Sequence, residues 1–192
     1  MDRNEKEKIF KDEILPHADA LLTFGYHLTL YDSSAEDLVQ ITLEKAWKNI
    51  ERYELGTNAK AWLFTIMRNA FINDYRKKSK QPTVVDIDEA IINTEEDSNN
   101  SPLSPYVDLR EEMLENLMGD EITEAINSLA IDNRTAILLC DVEGFTYEEI
   151  AKITSVPVGT VRSRLFRARN QLKVKLKEYA ENLGYKDNRT SS

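Results

Sequence analysis

The sequence predicts an all-α protein of two small helical domains joined by a flexible acidic linker, the second a four-helix domain containing a helix-turn-helix. Three observations carry that expectation. In the amino-terminal half, apolar residues recur at three- and four-residue steps, and no strand-like alternation competes. Between Gln81 and Glu112 nine acids stand against Arg110 alone, beside Pro82, Pro102, Pro105 and the run DSNNSPLSP, which has no sustained apolar period. From Ala151 to Lys177 the charge reverses: eight Lys or Arg and no acid. The chain's net charge of -9 therefore hides an acidic centre and a basic carboxy-terminal helix. With 192 residues and 41% hydrophobic content, each domain sits near the lower limit of independent folding. The boundaries expected are 1–80, a linker at 81–116, 117–183, and a disordered tail at 184–192.

A first helical stretch covers Asn4 to Ile14, and Pro16 marks a break. His17 to Leu30 continues with Ala18, Leu21, Leu22, Gly25 and Leu28 inward. His17 and His27 lack Cys or paired acids at ligand spacing, so no metal site and no cofactor are expected. Ser34, with Asp37 three residues on, reads as the cap of a helix to about Asn49, with Ala35, Val39, Thr42, Ala46 and Ile50 inward. Asp37, Gln40, Ile41, Glu44 and Lys48 gather on another side, which suits either a protein-binding surface or a plain solvated face.

Asn58 starts a long helix to about Lys78 with Leu63, Ile66, Met67 and Ala70 as its core stripe. A second stripe holds Phe64, Arg68, Phe71 and Tyr75, and a third holds Thr65, Asn69, Asn73 and Arg76. Aromatic rings stack on unpaired bases, amides pair with base edges, and Arg76, Lys77, Lys78 and Lys80 suit a phosphate backbone. The aromatics equally suit packing against a neighbouring helix.

In the carboxy-terminal half, Thr146 and Glu149 form a capping-box pattern that starts a helix at Tyr147. A break follows at Thr154 to Val156, and Pro157 opens the second helix. Val161, Leu165, Ala168, Leu172 and Leu176 form its inward stripe. Gly159, Arg162, Ser163, Phe166 and Arg167 fall opposite, with Arg164 and Arg169 on the flanks. That outward face suits a DNA groove, since guanidinium groups neutralise phosphates and pair bidentately with guanine. Cys140, the single cysteine, lies in the apolar run AILLC and is expected to be a buried, unreactive thiol. No apolar run is long enough to span a membrane and the amino terminus lacks a secretion signal, so a cytoplasmic protein is expected.

The segments SAEDLVQITLEKAW, NAKAWLFTIMRNAFINDYRKK and FTYEEIAKITSVPVGTVRSRLFRARNQL, in that order, resemble the extracytoplasmic-function (ECF) group of bacterial RNA polymerase sigma factors. The resemblance spans most of the chain. It implies a non-enzymatic specificity subunit that binds core RNA polymerase and promoter DNA, a region 2-like domain at 1–80 and a region 4-like domain at 117–183. It also implies docking of the Ser34 helix on the clamp helices of the largest polymerase subunit through Asp37, Gln40, Ile41 and Glu44. The polymerase flap is the expected partner of the second domain. Minus-ten reading falls to Asn69, Asn73, Arg76, Lys77, Lys78 and Lys80. Minus-thirty-five reading falls to Thr160, Arg162, Ser163, Phe166 and Arg167, flanked by Arg164 and Arg169. A controlling anti-sigma factor is implied as a further partner, and the acidic linker is expected to repel nucleic acid or to thread polymerase channels as its mimic. Two departures stand out: Ile131 and Asp132 replace a usual Pro-rich start, and MRNAFINDYRKKSKQ carries fewer Arg than many relatives. The alternative is an autonomous helix-turn-helix regulator with an amino-terminal dimerisation or sensing domain. A hydrolase using His17 or His27 lacks any nucleophile-base arrangement.

Overall fold

The computed structural model of the chain describes residues 2–80 and 120–184, apart from the side chains of 76–80. The expected linker therefore lies outside the described residues, as does the expected tail after Gly184. All elements among the described residues are helical.

α1 (Arg3–Ile9) is capped by Asp2, whose carboxylate accepts from the Glu5 amide at 2.7 Å, and it runs on through a π-turn at Phe10–Ile14. Pro16 sits in a 3-10 turn, Leu15–His17, where its missing amide costs nothing. α2 (Ala18–Thr29) ends at Leu30, whose φ of 66° turns the chain left-handed. The Thr29 hydroxyl also donates to the Tyr31 carbonyl at 3.0 Å. This tight connection lets α3 (Asp32–Lys48) begin at Asp32, two residues before the expected cap. Its N-cap is Tyr31 with no side-chain bond, so Ser34 sits inside the first turn and caps nothing.

Gly25 is buried where α2 crosses α3: a Cβ there would meet the Ala35 carbonyl oxygen at 3.4 Å. Small residues on both helices permit that close approach. α4 (Ala59–Lys80) is capped by Asn58, whose Oδ1 accepts from the Ala61 amide at 2.9 Å. Tyr53 ties the loop before it to the first helices by donating to Glu13 Oε2 at 3.0 Å and to the Thr57 carbonyl at 3.1 Å. Leu21, Phe24, Leu28, Leu38, Leu63, Phe64 and Met67 make the core of this first lobe. Burying each such side chain is worth about 1.5–3 kcal/mol in transfer free energy.

The second lobe contains α5 (Asp120–Asn127), α6 (Ile131–Ile137) with a π-turn at Leu138–Val142, α7 (Tyr147–Thr154), α8 (Val158–Lys175) and α9 (Lys177–Asn182). Arg134 is buried, and its Nη1 donates to the Asn127 carbonyl at 2.7 Å, closing the carboxy-terminal end of α5. Leu138, Leu139, Ile150, Ile153, Val161, Leu165 and Ala168 fill the core between α6, α7 and α8.

The two lobes pack against each other. Phe64 of α4 lies against Phe24 of its own lobe at 4.9 Å and against Phe145, just before α7, at 5.2 Å between ring centroids. The buried apolar side chains of both lobes thus form one continuous cluster. Polar bonds rim it: Lys60 Nζ reaches Glu143 Oε2 at 2.8 Å, Asn58 Nδ2 donates to Glu149 Oε1 at 2.8 Å, and His27 Nδ1 pairs with Asn127 Oδ1 at 2.8 Å.

Candidate nucleic-acid interface

The helix-turn-helix starts at a complete capping box. The Glu149 amide donates to Thr146 Oγ1 at 3.3 Å, and Glu149 Oε2 accepts from the Thr146 amide at 2.9 Å. That backbone bond to the charged form holds the Glu149 carboxyl below the usual range. α7 closes on Ser155 in the left-handed region, φ 54°. Pro157 is the N-cap of α8, one position earlier than the first-turn place expected for it. α8 then turns Val161, Leu165 and Ala168 into the core, as its sequence spacing requires, with Leu172 packed partly against it.

Opposite that stripe, Arg162, Phe166 and Arg167 stand in solvent, and Phe166 is 68% exposed. An apolar ring left this open between two guanidinium groups gains nothing in free folding. Gly159 has open space where a Cβ would stand, so a partner backbone can approach closely. Thr160 and Ser163 are half-buried, and the Ser163 hydroxyl donates to the Thr160 carbonyl at 2.9 Å.

The flanking arginines behave differently. Arg164 Nη2 binds Asp132 Oδ2 at 2.5 Å, tying α8 to α6. Arg169 spans both Asp141 oxygens at 2.7 and 3.2 Å and reaches the Tyr147 hydroxyl at 3.4 Å. The bidentate bond holds the Asp141 carboxyl below its usual range and raises the guanidinium further. These two groups brace the lobe, while Arg162 and Arg167 pair with no acid among the described residues. Cys140 is half-buried behind Arg169, and burial pushes its thiol up, away from reactivity.

On α4, Asn69 and Asn73 are exposed on one face, as expected. Thr65 turns its hydroxyl back to the Ala61 carbonyl at 2.8 Å. The aromatic stripe divides: Phe64 is wholly buried in the lobe seam, whereas Tyr75 is 61% exposed and stacks on Phe71 with centroids 6.3 Å apart. Arg76, Lys77, Lys78 and Lys80 continue the helix, and their side chains lie outside the described residues.

A third surface lies on α3. Asp37, Gln40, Ile41 and Glu44 are all exposed, with Gln40 Nε2 donating to Glu44 Oε1 at 3.3 Å. Gln40 and Glu44 also line a groove of about 520 Å³ whose apolar walls include Phe10, Leu22, Leu43 and Trp47. Val39, expected inward, is half-buried in that wall. Trp47 meets Phe10 edge-on at 5.3 Å. The groove was not legible from the spacing of α3, because Phe10, Ala18 and Leu22, a third of its lining, come from α2 and the turn after α1. Neither histidine belongs to any of these surfaces. Among the described residues no group of three His, Cys, Asp or Glu could hold a metal ion.

Comparison with known proteins shows the family of the chain. The family model described as Sigma-70 region 2 matches residues 14–81, and that described as Sigma-70, region 4 matches 119–172. The chain is 36% identical over 162 residues to the ECF RNA polymerase sigma factor EcfG of Rhodopseudomonas palustris, covering 84% of this chain and 82% of that protein. It is 36% identical over 155 residues to the ECF RNA polymerase sigma-E factor of Haemophilus influenzae, covering 78% and 79%. Among solved structures, the sigma factor RpoE of Bartonella quintana, crystallised in complex with the anti-sigma factor NepR, superposes with a TM-score of 0.68 at 39% identity. The superposition covers 88% of this chain and 98% of that one. CnrH in complex with the cytosolic domain of CnrY shares the fold, with a TM-score of 0.59 at 20% identity.

Proposed function

The chain belongs to the ECF RNA polymerase sigma factors, and from that premise we propose a division of labour between its exposed surfaces. As a sigma factor it directs promoter-specific transcription initiation. The α3 face with Asp37, Gln40, Ile41 and Glu44, together with the Trp47 groove, docks on core polymerase, as apolar walls with a charged edge suit a protein partner. Asn69 and Asn73, the Phe71–Tyr75 stack and the basic end of α4 engage the minus-ten element once its strands separate. Arg162, Phe166 and Arg167 enter the major groove of the minus-thirty-five duplex.

The observation that carries this reading is that the solvent-exposed side chains of α8 coincide with the outward face of a capped helix-turn-helix inside the region 4 match. Chemistry then belongs to the polymerase, and this chain supplies binding and orientation. Opening base pairs costs roughly 1–2 kcal/mol per step, which capture of unpaired bases offsets only when polymerase fixes the geometry. An anti-sigma protein is the natural regulator, since the relative from Bartonella quintana was crystallised with one. No helix among the described residues is long and apolar enough to cross a membrane, in keeping with work on chromosomal DNA in the cytoplasm. A region 2 match on the first lobe argues against the autonomous-regulator alternative.

The test separates docking from reading. Arg162→Ala should lower initiation at least about tenfold while leaving polymerase co-purification intact, and Asp37→Ala combined with Glu44→Ala should weaken co-purification. Loss of neither property in any of these variants would refute the assignment of surfaces.

A further inference from the structure

α8 is gripped at two points by acids of α6 and its π-turn, and the two grips differ in kind. Arg164 meets Asp132 through a single nitrogen and a single oxygen, in the stretch where Val161, Leu165 and Ala168 already seat the helix in the core. Arg169 stands just past Ala168, the last residue that α8 buries. Its Nη2 and Nε take both Asp141 oxygens at 2.7 and 3.2 Å, Nη2 also reaches Cys140 Sγ at 3.5 Å, and Nη1 reaches the Tyr147 hydroxyl at 3.4 Å. The turn that presents Cys140 and Asp141 closes with the Glu143 amide donating to the Leu138 carbonyl at 2.9 Å, so it takes in one residue more than an α-helical turn. One planar fork thus joins α8, the π-turn and the first residue of α7.

This fork contributes little to folding free energy, because its side chains are 47% and 42% exposed and ion pairs so open to water are weak. Its geometric effect is larger. At about 100° per residue, Arg169 lies about 20° round the helix from Arg162 and about 60° from Phe166, so fixing its guanidinium fixes where the reading face points. The core stripe alone holds that roll loosely, since Val161 and Ala168 offer short side chains. A roll of about 20° carries side-chain tips about 6 Å from the axis through about 2 Å, whereas a hydrogen bond to a base edge tolerates about half an ångström.

We propose that Asp141 and Arg169 are a positioning pair that sets the roll of α8, and with it the sequence selectivity of minus-thirty-five reading, while neither reads a base itself. This rests on the duplex reading by Arg162, Phe166 and Arg167 proposed above. Without the fork, attraction to phosphates survives and discrimination among sequences falls.

The test is a library of linear templates built on one promoter mapped with the wild-type protein, its minus-thirty-five half randomised and each template barcoded downstream. Core polymerase transcribes the library with the full chain, and sequencing gives the ratio of initiation from the preferred upstream sequence to the library mean. Arg169→Lys keeps the charge but loses the fork, and Asp141→Ala keeps the guanidinium but frees it. Each should lower that ratio at least about fivefold, the low end for one bidentate base contact, with a melting temperature within roughly 4 °C of wild type. A merely structural pair would instead lower the melting temperature and reduce initiation from every template alike, and the preserved ratio would overturn the positioning role. An unchanged ratio in Arg169→Lys, with initiation raised on every template in Asp141→Ala, would overturn it too, marking Arg169 as a phosphate contact that Asp141 sequesters. A flat wild-type profile would count against minus-thirty-five reading itself and take the positioning role with it.

Discussion

Four arginines of α8 share one helix and two fates, set by whether an acid stands within reach. Arg164 and Arg169 are drawn to Asp132 and Asp141, whereas Arg162 and Arg167 point away from the lobe with Phe166 between them. Substituting Arg167 by Ala should therefore cost about 1–3 kcal/mol of promoter affinity, ten- to a hundredfold, with an unchanged melting temperature. Arg164→Ala should do the reverse, lowering the melting temperature while leaving the preferred promoter sequence as it was. Helical projection separated the face from the flanks. It could not show which flank positions were braced, because the acids lie 28 and 32 residues away in α6 and its π-turn. His27 gives a second test at this scale. Burial holds its imidazole below the ordinary value of 6.5, the Arg134 charge adds to that, and the bond to Asn127 opposes it; the Tyr26 ring also faces it. The unfolded chain thus takes up the proton first, so this contribution to stability is complete above 6.5 and is lost as pH falls below it toward the folded value. Thermal melts between about pH 7.5 and pH 5.5 should show a steeper fall for wild type than for His27→Gln, which keeps an amide donor but does not titrate. Parallel slopes would contradict it.

At the scale of elements, α7 owes its start to the Thr146–Glu149 box, and that reading came directly from the four-residue pattern. Thr146→Ala should cost about 1 kcal/mol, seen as a fall of roughly 2–4 °C in melting temperature. The same logic failed at Ser34, where an equally good pattern caps nothing. There the left-handed Leu30 and the Thr29 hydroxyl shorten the connection, and α3 starts three residues early. Local pattern decides a helix end only where the preceding chain leaves it free to do so. The third surface extends the lesson: α3 alone advertised Asp37, Gln40, Ile41 and Glu44, while Trp47 became a groove wall only through Phe10. Trp47→Ala should weaken association with core polymerase by about tenfold, read by fluorescence anisotropy, and leave binding of the second lobe to minus-thirty-five duplex unaltered.

For the whole molecule, two lobes were legible from the charge reversal along the chain, but their contact was not. The seam bonds join residues 83, 91 and 100 positions apart, and no periodicity carries information over such separations. Phe64 shows the consequence: its stripe on α4 suggested either a stacking ring or a packed one, and only the arrival of Phe145 makes it wholly buried. The most direct measurement is reconstituted transcription on fragmented chromosomal DNA with core polymerase, with and without this protein, mapping every transcript start. The account predicts a discrete set of protein-dependent starts, each preceded by a shared two-part motif whose upstream half loses its influence in Arg162→Ala. Starts that do not depend on the protein, or a single palindromic site bound without polymerase, would contradict it.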